Sequence, residues 1–125
     1  MYEENVQLLI NGQWRQGSEG KTLPLQNPAT GEVIAEVPCA SAVDLEQALQ
    51  AAQQGFEAWK VLSAHERAGL LNKAADLLEQ RKDTLARVLT QENGKSLREA
   101  SGELEFCADA IRWYAEEGKR AYGRV

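Results

Sequence analysis

The sequence predicts an α+β fold in which short antiparallel strands precede three long helices. Turn signals and alternating apolar residues fill the part up to Pro38, and apolar residues then recur at the i, i+4 and i+7 spacing of an amphipathic helix. Serine-led capping boxes open the helical stretches. The length of 125 residues, with 43% hydrophobic and 26% charged residues, suits one domain or part of one.

The first two strands are predicted from a hairpin signal. Residues 6–10 form an apolar run, and Asn11-Gly12 follows, a pair that tolerates the positive φ angles of a two-residue turn. Residues 13–15 are therefore predicted to return as the second strand.

A second pair of strands is predicted further along the chain. Residues 22–27 have an extended pattern, and Pro24 confines them to an edge or irregular strand because proline lacks the N–H for a ladder hydrogen bond. After a turn at residues 28–31, apolar and polar residues alternate as in a half-buried strand, which Pro38 closes.

Three capping boxes predict where the helices begin. In each box, a serine hydroxyl and a carboxylate three positions later pair with the first unpaired N–H groups of the helix. The second helical pattern resumes at Leu85 after a break near Lys82-Asp83 and ends before Gly94, which suits the left-handed C′ position. The third helix is predicted to run to about Tyr122, with Gly123 as its stop. The three boxes are Ser41 with Asp44, Ser63 with Glu66, and Ser96 with Glu99.

The third predicted helix is apolar over an unusually wide arc. At ~100° per residue its apolar side chains cover about 220°, whereas an ordinary surface helix has an apolar stripe of about 100° or somewhat more. Such a helix needs more than one neighbour, which two other helices and a few short strands do not supply. The arc therefore indicates that the chain is part of a larger unit. Its members include Phe106, Cys107, Ala108, Ala110, Trp113 and Tyr114.

Composition excludes several classes of function. A net charge of −5, from 14 basic and 19 acidic residues, argues against a nucleic-acid partner. No run of about 18 apolar residues occurs, so no membrane partner is expected, and the acidic residues 1–5 do not resemble a signal peptide. We therefore expect a cytoplasmic protein. Two cysteines and one histidine support neither a disulfide framework nor a His-rich zinc site.

The residues alone offer no recognisable active site. Cys107 lies mid-helix on the apolar arc, one turn after Glu103, so we expect it to be buried as an unreactive thiol. Cys39 follows a strand end without a basic neighbour, and His65 is expected to be exposed and idle in the first turn of the second helix. The sequence holds neither a Walker A nor a G-x-G-x-x-G loop. Core positions are predicted for Trp14, Trp59 and Trp113.

Five blocks of the sequence nevertheless resemble a known family when they are taken together and in order. They are residues 9–14 (LINGQW), 27–36 (NPATGEVIAE), 66–71 (ERAGLL), 92–100 (ENGKSLREA) and 113–123 (WYAEEGKRAYG). In this order they are similar to the start of an NAD(P)-dependent aldehyde dehydrogenase. The last two blocks resemble the succinate-semialdehyde dehydrogenase branch.

The resemblance implies a place in a larger domain. Residues 1–125 would be the N-terminal part of the cofactor-binding domain, with strands and turns in residues 1–38 and helices in residues 39–125. In the family, this part wraps around an α/β, Rossmann-like parallel sheet built from later sequence. The nucleophilic cysteine, the general base, the NAD- or NADP-binding residues and the oligomerisation region would all lie after Val125. We therefore expect this chain to bind no cofactor and to carry no catalytic residue.

The resemblance also implies two minor sites. Gln26 and Glu92 would help to hold a monovalent cation, although Glu92 can equally be a surface carboxylate beside a helix end. Phe106 and Ala110 would line the substrate entrance, with core packing as the alternative. The implied reaction of the whole protein is covalent, with thiolate attack on succinate semialdehyde, hydride transfer, and hydrolysis of the thioester to succinate.

A different class of function stays open beside the enzyme. The chain can be a non-catalytic truncated remnant or helical module, whose apolar arc binds a second copy or the remainder of a dehydrogenase chain. We expect the isolated chain to form a homo-oligomer, because the open part of the arc is large enough to drive association.

Overall fold

The computed structural model describes residues 6–123; the acidic segment at residues 1–5 and the last two residues lie outside it. The described chain falls into two compact units. The first unit extends to Trp59 and includes Gln91–Asn93, and the second comprises Lys60–Thr90 and the residues from Gly94 onward.

The first unit begins with the predicted hairpin. Strands β1 (Leu8–Ile10) and β2 (Gln13–Arg15) pair antiparallel. Asn11 and Gly12 connect them with φ angles of 50° and 73°, the positive values that the Asn-Gly pair was expected to supply.

A second antiparallel pair follows in the same unit. Strands β3 (Thr22–Gln26) and β4 (Val33–Pro38) pair with an irregularity between Leu25 and Gln26. Pro24 is accommodated because this sheet has two strands, so β3 has an edge that needs no N–H donor.

Residues 6–123 contain four helices, whereas the sequence predicted three. The additional boundary lies at Arg81, whose φ of −101° and ψ of 6° interrupt the second helical stretch next to the break in the pattern near Lys82. The α+β class with strands first is confirmed. The helices are α1 (Ala42–Lys60), α2 (Ala64–Gln80), α3 (Lys82–Asn93) and α4 (Leu97–Glu117).

The helix ends follow the predicted chemistry. Ser63 and Ser96 form complete capping boxes with Glu66 and Glu99. Helix α3 ends at Gly94, which has a φ of 77° in the left-handed region. The last helix stops earlier than predicted, since α4 gives way to a 3-10 turn at Gly118–Arg120.

In the second unit, α2 and α4 pack against each other through small side chains. Because alanine adds only a methyl group beyond the backbone, this contact lets two helices approach closely. Ion pairs flank it: Arg112 of α4 contacts Asp76 and Glu79 of α2, each at 2.8 Å. The buried alanines on the two helices are Ala68, Ala75, Ala100, Ala108 and Ala115.

Several expectations about the core are wrong. Trp14 and Trp113 are 65% and 67% exposed, and Trp59 is also exposed. Cys107 is exposed rather than buried, because the contact with α2 covers only part of the apolar arc of α4 and Cys107 lies at its boundary. His65 is exposed, as predicted. Within residues 6–123, no helix has the length and apolarity needed to cross a membrane.

Candidate functional site

The wide apolar arc of α4 divides into two halves. One half, with Ala100, Ala108 and Ala115, is buried. The other half is open to solvent, and we call its members Phe106, Ala110, Trp113 and Tyr114 the aromatic face. Together with Asp109, these residues line a shallow depression of about 300 Å³.

The orientation of the aromatic face is set from the opposite side of α4. Arg112 lies two positions after Ala110, which at ~100° per residue places it about 200° around the helix. Its guanidinium donates to Asp76 Oδ1 and to both carboxylate oxygens of Glu79 at 2.8 Å. Hydrogen bonding to Glu79 and then to Asp76 raises the pKa of Arg112, and the same bond lowers the pKa of Glu79. These pairs hold Arg112 toward α2 and the rings away from it.

Two further ion pairs connect α4 to the start of α3 and to the residue before its own capping serine. Lys82 at the start of α3 donates to Glu105 at 2.6 Å, and hydrogen bonding to Glu105 raises the pKa of the Lys82 ammonium. Lys95, just before α4, pairs with Glu103, which lies nearly two turns into the helix. Glu105 and Glu103 are therefore each paired with a lysine of the same unit.

The side chains of the aromatic face are suited to contact another molecule rather than to carry out a reaction. Rings and a methyl group dominate it, and Asp109 is the acidic side chain among the residues lining the depression. Phe106 and Ala110, the two residues assigned to a substrate entrance by the resemblance, are brought together here. Their role as an entrance stays a prediction.

The structure places the two residues of the implied cation site in the first unit. Gln26 ends β3, and Glu92 lies in the last turn of α3; both side chains are exposed. Their oxygens are the donor type that hard cations take. Among residues 6–123, no group of three or more His, Cys, Asp or Glu side chains is arranged to hold a metal ion. The monovalent cation site at these residues stays a prediction.

A buried carboxylate with several hydrogen-bond donors was not recognised from the sequence. Asp44, predicted only as a capping residue of α1, is 0% exposed and accepts hydrogen bonds on both carboxylate oxygens. Arg15 Nη2 donates to Oδ1 at 2.6 Å, and Ser18 N donates to Oδ2 at 2.9 Å. Ser18 Oγ and Ser41 N donate to Oδ2 at 3.0 and 2.8 Å. We call Asp44 with Arg15, Ser18 and Ser41 the Asp44 cluster.

The Asp44 cluster keeps its carboxylate charged. Backbone N–H donation from Ser41, and then from Ser18, holds the pKa of Asp44 well below its ordinary range, against the opposing effect of burial. Asp44 N also donates to Ser41 Oγ at 3.2 Å, which completes the predicted capping box. The cluster thus ties β2, the following turn and the start of α1 together.

Gly17 makes the same turn possible. A Cβ at this position would lie 2.0 Å from the carbonyl oxygen of Cys39, so the backbones approach too closely for any side chain. The requirement for glycine at this position is therefore steric.

Comparison with known proteins identifies the family. A model of the aldehyde dehydrogenase family matches residues 14–125. The chain belongs to the aldehyde dehydrogenase family. The family resemblance carried by the five sequence blocks is thereby confirmed.

Individual aldehyde dehydrogenases are similar over nearly the whole chain. The 4-(hydroxymethyl)benzenesulfonate dehydrogenase TsaD1 of Comamonas testosteroni is 48% identical over 95% of this chain and 25% of its own length. The NADP(+) succinate-semialdehyde dehydrogenase GabD of Escherichia coli K12 is 43% identical over 94% of this chain and 24% of its own. The crystal structure of succinate-semialdehyde dehydrogenase from Burkholderia pseudomallei is 40% identical and superposes with a TM-score of 0.92, covering 96% of this chain and 25% of that one.

The chain therefore spans about a quarter of the length of the aldehyde dehydrogenases it matches.

Proposed function

We propose that this chain is the N-terminal part of the cofactor-binding domain of an aldehyde dehydrogenase that oxidises succinate semialdehyde to succinate. This proposal is supported by the 43% identity to a succinate-semialdehyde dehydrogenase over 94% of the chain. The printed name of that relative specifies NADP(+), so we propose NADP+ or NAD+ as the hydride acceptor of the whole protein. We place its action in the cytoplasm.

The role of this chain within the whole protein follows from its own residues. The Asp44 cluster and the α2–α4 pair supply a scaffold, and the aromatic face is the surface against which further chain packs or substrate passes. Neither Cys39 nor Cys107 lies in the Gly-Gln-x-Cys setting that the family resemblance implies for the nucleophile. We therefore propose that residues 1–125 alone neither bind the dinucleotide nor oxidise aldehydes.

An assay of the protein encoded by the complete reading frame tests the enzymatic proposal. We expect reduction of NAD+ or NADP+ with succinate semialdehyde, at a kcat/KM about tenfold or more above that for an aromatic aldehyde, since one positioned charge contact is worth more than ~1.4 kcal/mol. The purified 125-residue chain serves as the matched blank. Cofactor reduction by the blank, or none by the full reading frame with any aldehyde, contradicts the proposal.

A second candidate is favoured by the open aromatic face. A chain that presents three exposed rings on one helix is suited to act as a non-catalytic module that binds another polypeptide. The DNA after codon 125 separates the two candidates. A reading frame that continues favours the enzyme, and an immediate stop codon favours the binding module.

A further inference from the structure

The chain contains two Asn-Gly pairs, and the fold places them in different backbone settings. Asn11-Gly12 forms the turn between β1 and β2, and Asn93-Gly94 lies at the end of α3. An Asn-Gly pair is open to intramolecular deamidation, because glycine has no Cβ to shield its backbone nitrogen from the asparagine side chain before it. Both asparagine side chains are exposed, so exposure does not distinguish the two pairs. The local backbone therefore decides which pair reacts.

The reaction is an attack of the glycine backbone nitrogen on the side-chain carbonyl of the preceding asparagine. A bond forms between the glycine N and the asparagine Cγ, the Cγ–Nδ2 bond breaks, and the proton of the attacking N–H leaves with Nδ2 as ammonia. Water then opens the cyclic imide at either of its carbonyl groups. Opening at Cγ gives aspartate. Opening at the backbone carbonyl gives isoaspartate, in which the main chain runs through Cγ and is one carbon longer.

At the end of α3, the attacking nitrogen is already engaged. The Gly94 N–H donates to Thr90 O at 2.9 Å, the hydrogen bond that closes the helix. Asn93 is the last residue of α3, so its own backbone has the helical conformation. Attack on the Asn93 side chain therefore requires this hydrogen bond to break and the last turn of the helix to unwind.

In the hairpin, the corresponding nitrogen lies outside the strand pairing. The ladder closes at the pair of Ile10 with Gln13, and the turn beyond it has φ angles of 50° at Asn11 and 73° at Gly12. A positive φ costs an L-residue energy, and within the described part of the chain no hydrogen bond holds the Gly12 N–H in place. Asn11 therefore needs less rearrangement than Asn93 to reach the geometry of attack.

An isoaspartate at position 11 would change the first unit beyond the turn. The additional backbone carbon lengthens a two-residue turn, and the turn sets the register of β1 against β2. Strand β2 ends at Arg15, whose Nη2 donates to the buried Asp44 at 2.6 Å. A displacement of β2 moves this guanidinium away from Asp44, so a buried carboxylate loses part of its hydrogen bonding.

We propose that Asn11 is a site of spontaneous deamidation in this protein, and that isoaspartate formed there loosens the Asp44 cluster through β2. Asn93 is the protected counterpart, although it is followed by the same residue. This inference goes beyond the proposed dehydrogenase activity and does not depend on it.

Timed incubation of the protein encoded by the complete reading frame, at mildly alkaline pH, tests the proposed site. Trypsin releases the two pairs on separate peptides, which end at Arg15 and Lys95, and deamidation adds about 1 Da that fragment ions assign to a position. We expect Asn11 to deamidate about tenfold or more faster than Asn93 in the folded protein, since Asn93 must first lose a hydrogen bond and a helical turn. In denaturant the two rates should become similar.

Hydrogen exchange at the Asp44 cluster tests the effect of the modification. The backbone N–H groups of Ser18 and Ser41 donate to Asp44, so their protection should fall in molecules with isoaspartate at position 11. Freshly prepared Asn11→Asp is the matched control, because it adds the same charge without the extra backbone carbon and should keep the protection. Asn11→Gly removes the reactive amide, keeps a residue suited to positive φ, and should lose no protection with time.

The two halves of the proposal fail in different ways. Equal deamidation of Asn11 and Asn93 in the folded protein, or faster reaction at Asn93, overturns the proposed site. Unchanged protection of Ser18 and Ser41 in the isoaspartate form overturns the coupling through β2. An equal loss of protection in Asn11→Asp overturns that coupling as well, because charge rather than chain length would then be the cause.

Discussion

Each of the two units is stabilised internally by a different kind of contact. In the first unit, one buried carboxylate, Asp44, accepts hydrogen bonds from groups on a strand, a turn and a helix start. In the second unit, the buried side chains of α2 and α4 are alanines, and the ion pairs of Arg112 lie at the edge of the contact. One region therefore depends on a single polar group, whereas the other depends on shape along a helix pair.

This difference predicts how each unit fails. Removing a carboxylate that satisfies several donors leaves all of them unpaired at once, which is costly when they are buried. Removing or adding a methyl group in a helix contact changes local packing by a smaller and graded amount. Substitutions matched between the units can test this expectation.

The largest effect is expected for Asp44→Ala. The change leaves Arg15 without its carboxylate and Ser18 and Ser41 with unpaired N–H groups, so we expect the melting temperature to fall by roughly 10 °C or more. Glu46→Ala on the same helix is the control, because Glu46 is exposed and accepts a hydrogen bond from the Gln50 amide at 3.1 Å. Thermal unfolding by circular dichroism measures both. Similar effects of the two variants would show that the cluster does not hold the first unit.

The pH dependence of stability sharpens the same comparison. Because the folded-state pKa of Asp44 is lowered by N–H donation from Ser41 and Ser18, its contribution is complete above the unfolded carboxyl pKa of about 3.9 and is lost as pH falls below it. We therefore expect the stability difference between wild type and Asp44→Asn to be constant from pH 7 to about 5 and to shrink toward pH 2–3. Denaturant unfolding at each pH measures it. A difference that grows on acidification would contradict the assigned sign.

A smaller effect is expected in the second unit. Ala108 is 0% exposed, so Ala108→Leu overpacks its surroundings and should lower the free energy of unfolding by about 1–3 kcal/mol. The matched control is Ala110→Leu, the same substitution on the open side of the same helix, for which a change within about 0.5 kcal/mol is expected. Hydrogen exchange of peptides from each unit locates the loss. Equal effects at the two positions would mean that the two halves of the arc are equally packed.

The local elements of this fold could be predicted because their signals are short-range. The Asn11-Gly12 turn and the boxes at Ser63 and Ser96 each involve residues at most three positions apart, and each is present. The helix boundary at Arg81 was indicated by the pattern near Lys82, but the sequence did not predict a separate helix there. A single residue with a φ of −101° changes the spacing of apolar residues very little.

The longer-range features escaped prediction for a physical reason. Arg15 and Ser18 lie 29 and 26 residues before Asp44, and no local pattern connects side chains at that distance. Cys107 was placed in the core because its arc is apolar, yet the arc exceeds what α2 covers. The excess width itself was visible in the sequence, and it correctly indicated an uncovered surface on α4.

The alanine contact between α2 and α4 also has an entropic consequence. Alanine has no rotamers to lose, so the buried alanine positions of the helix pair add no side-chain entropy cost to folding. The rings of Phe106, Trp113 and Tyr114 are already hydrated in the folded chain, and unfolding therefore transfers little additional aromatic surface to water. The heat-capacity change of unfolding for this unit should consequently lie below the ~12–15 cal/mol/K per residue of ordinary domains, which gives a flatter dependence of its stability on temperature.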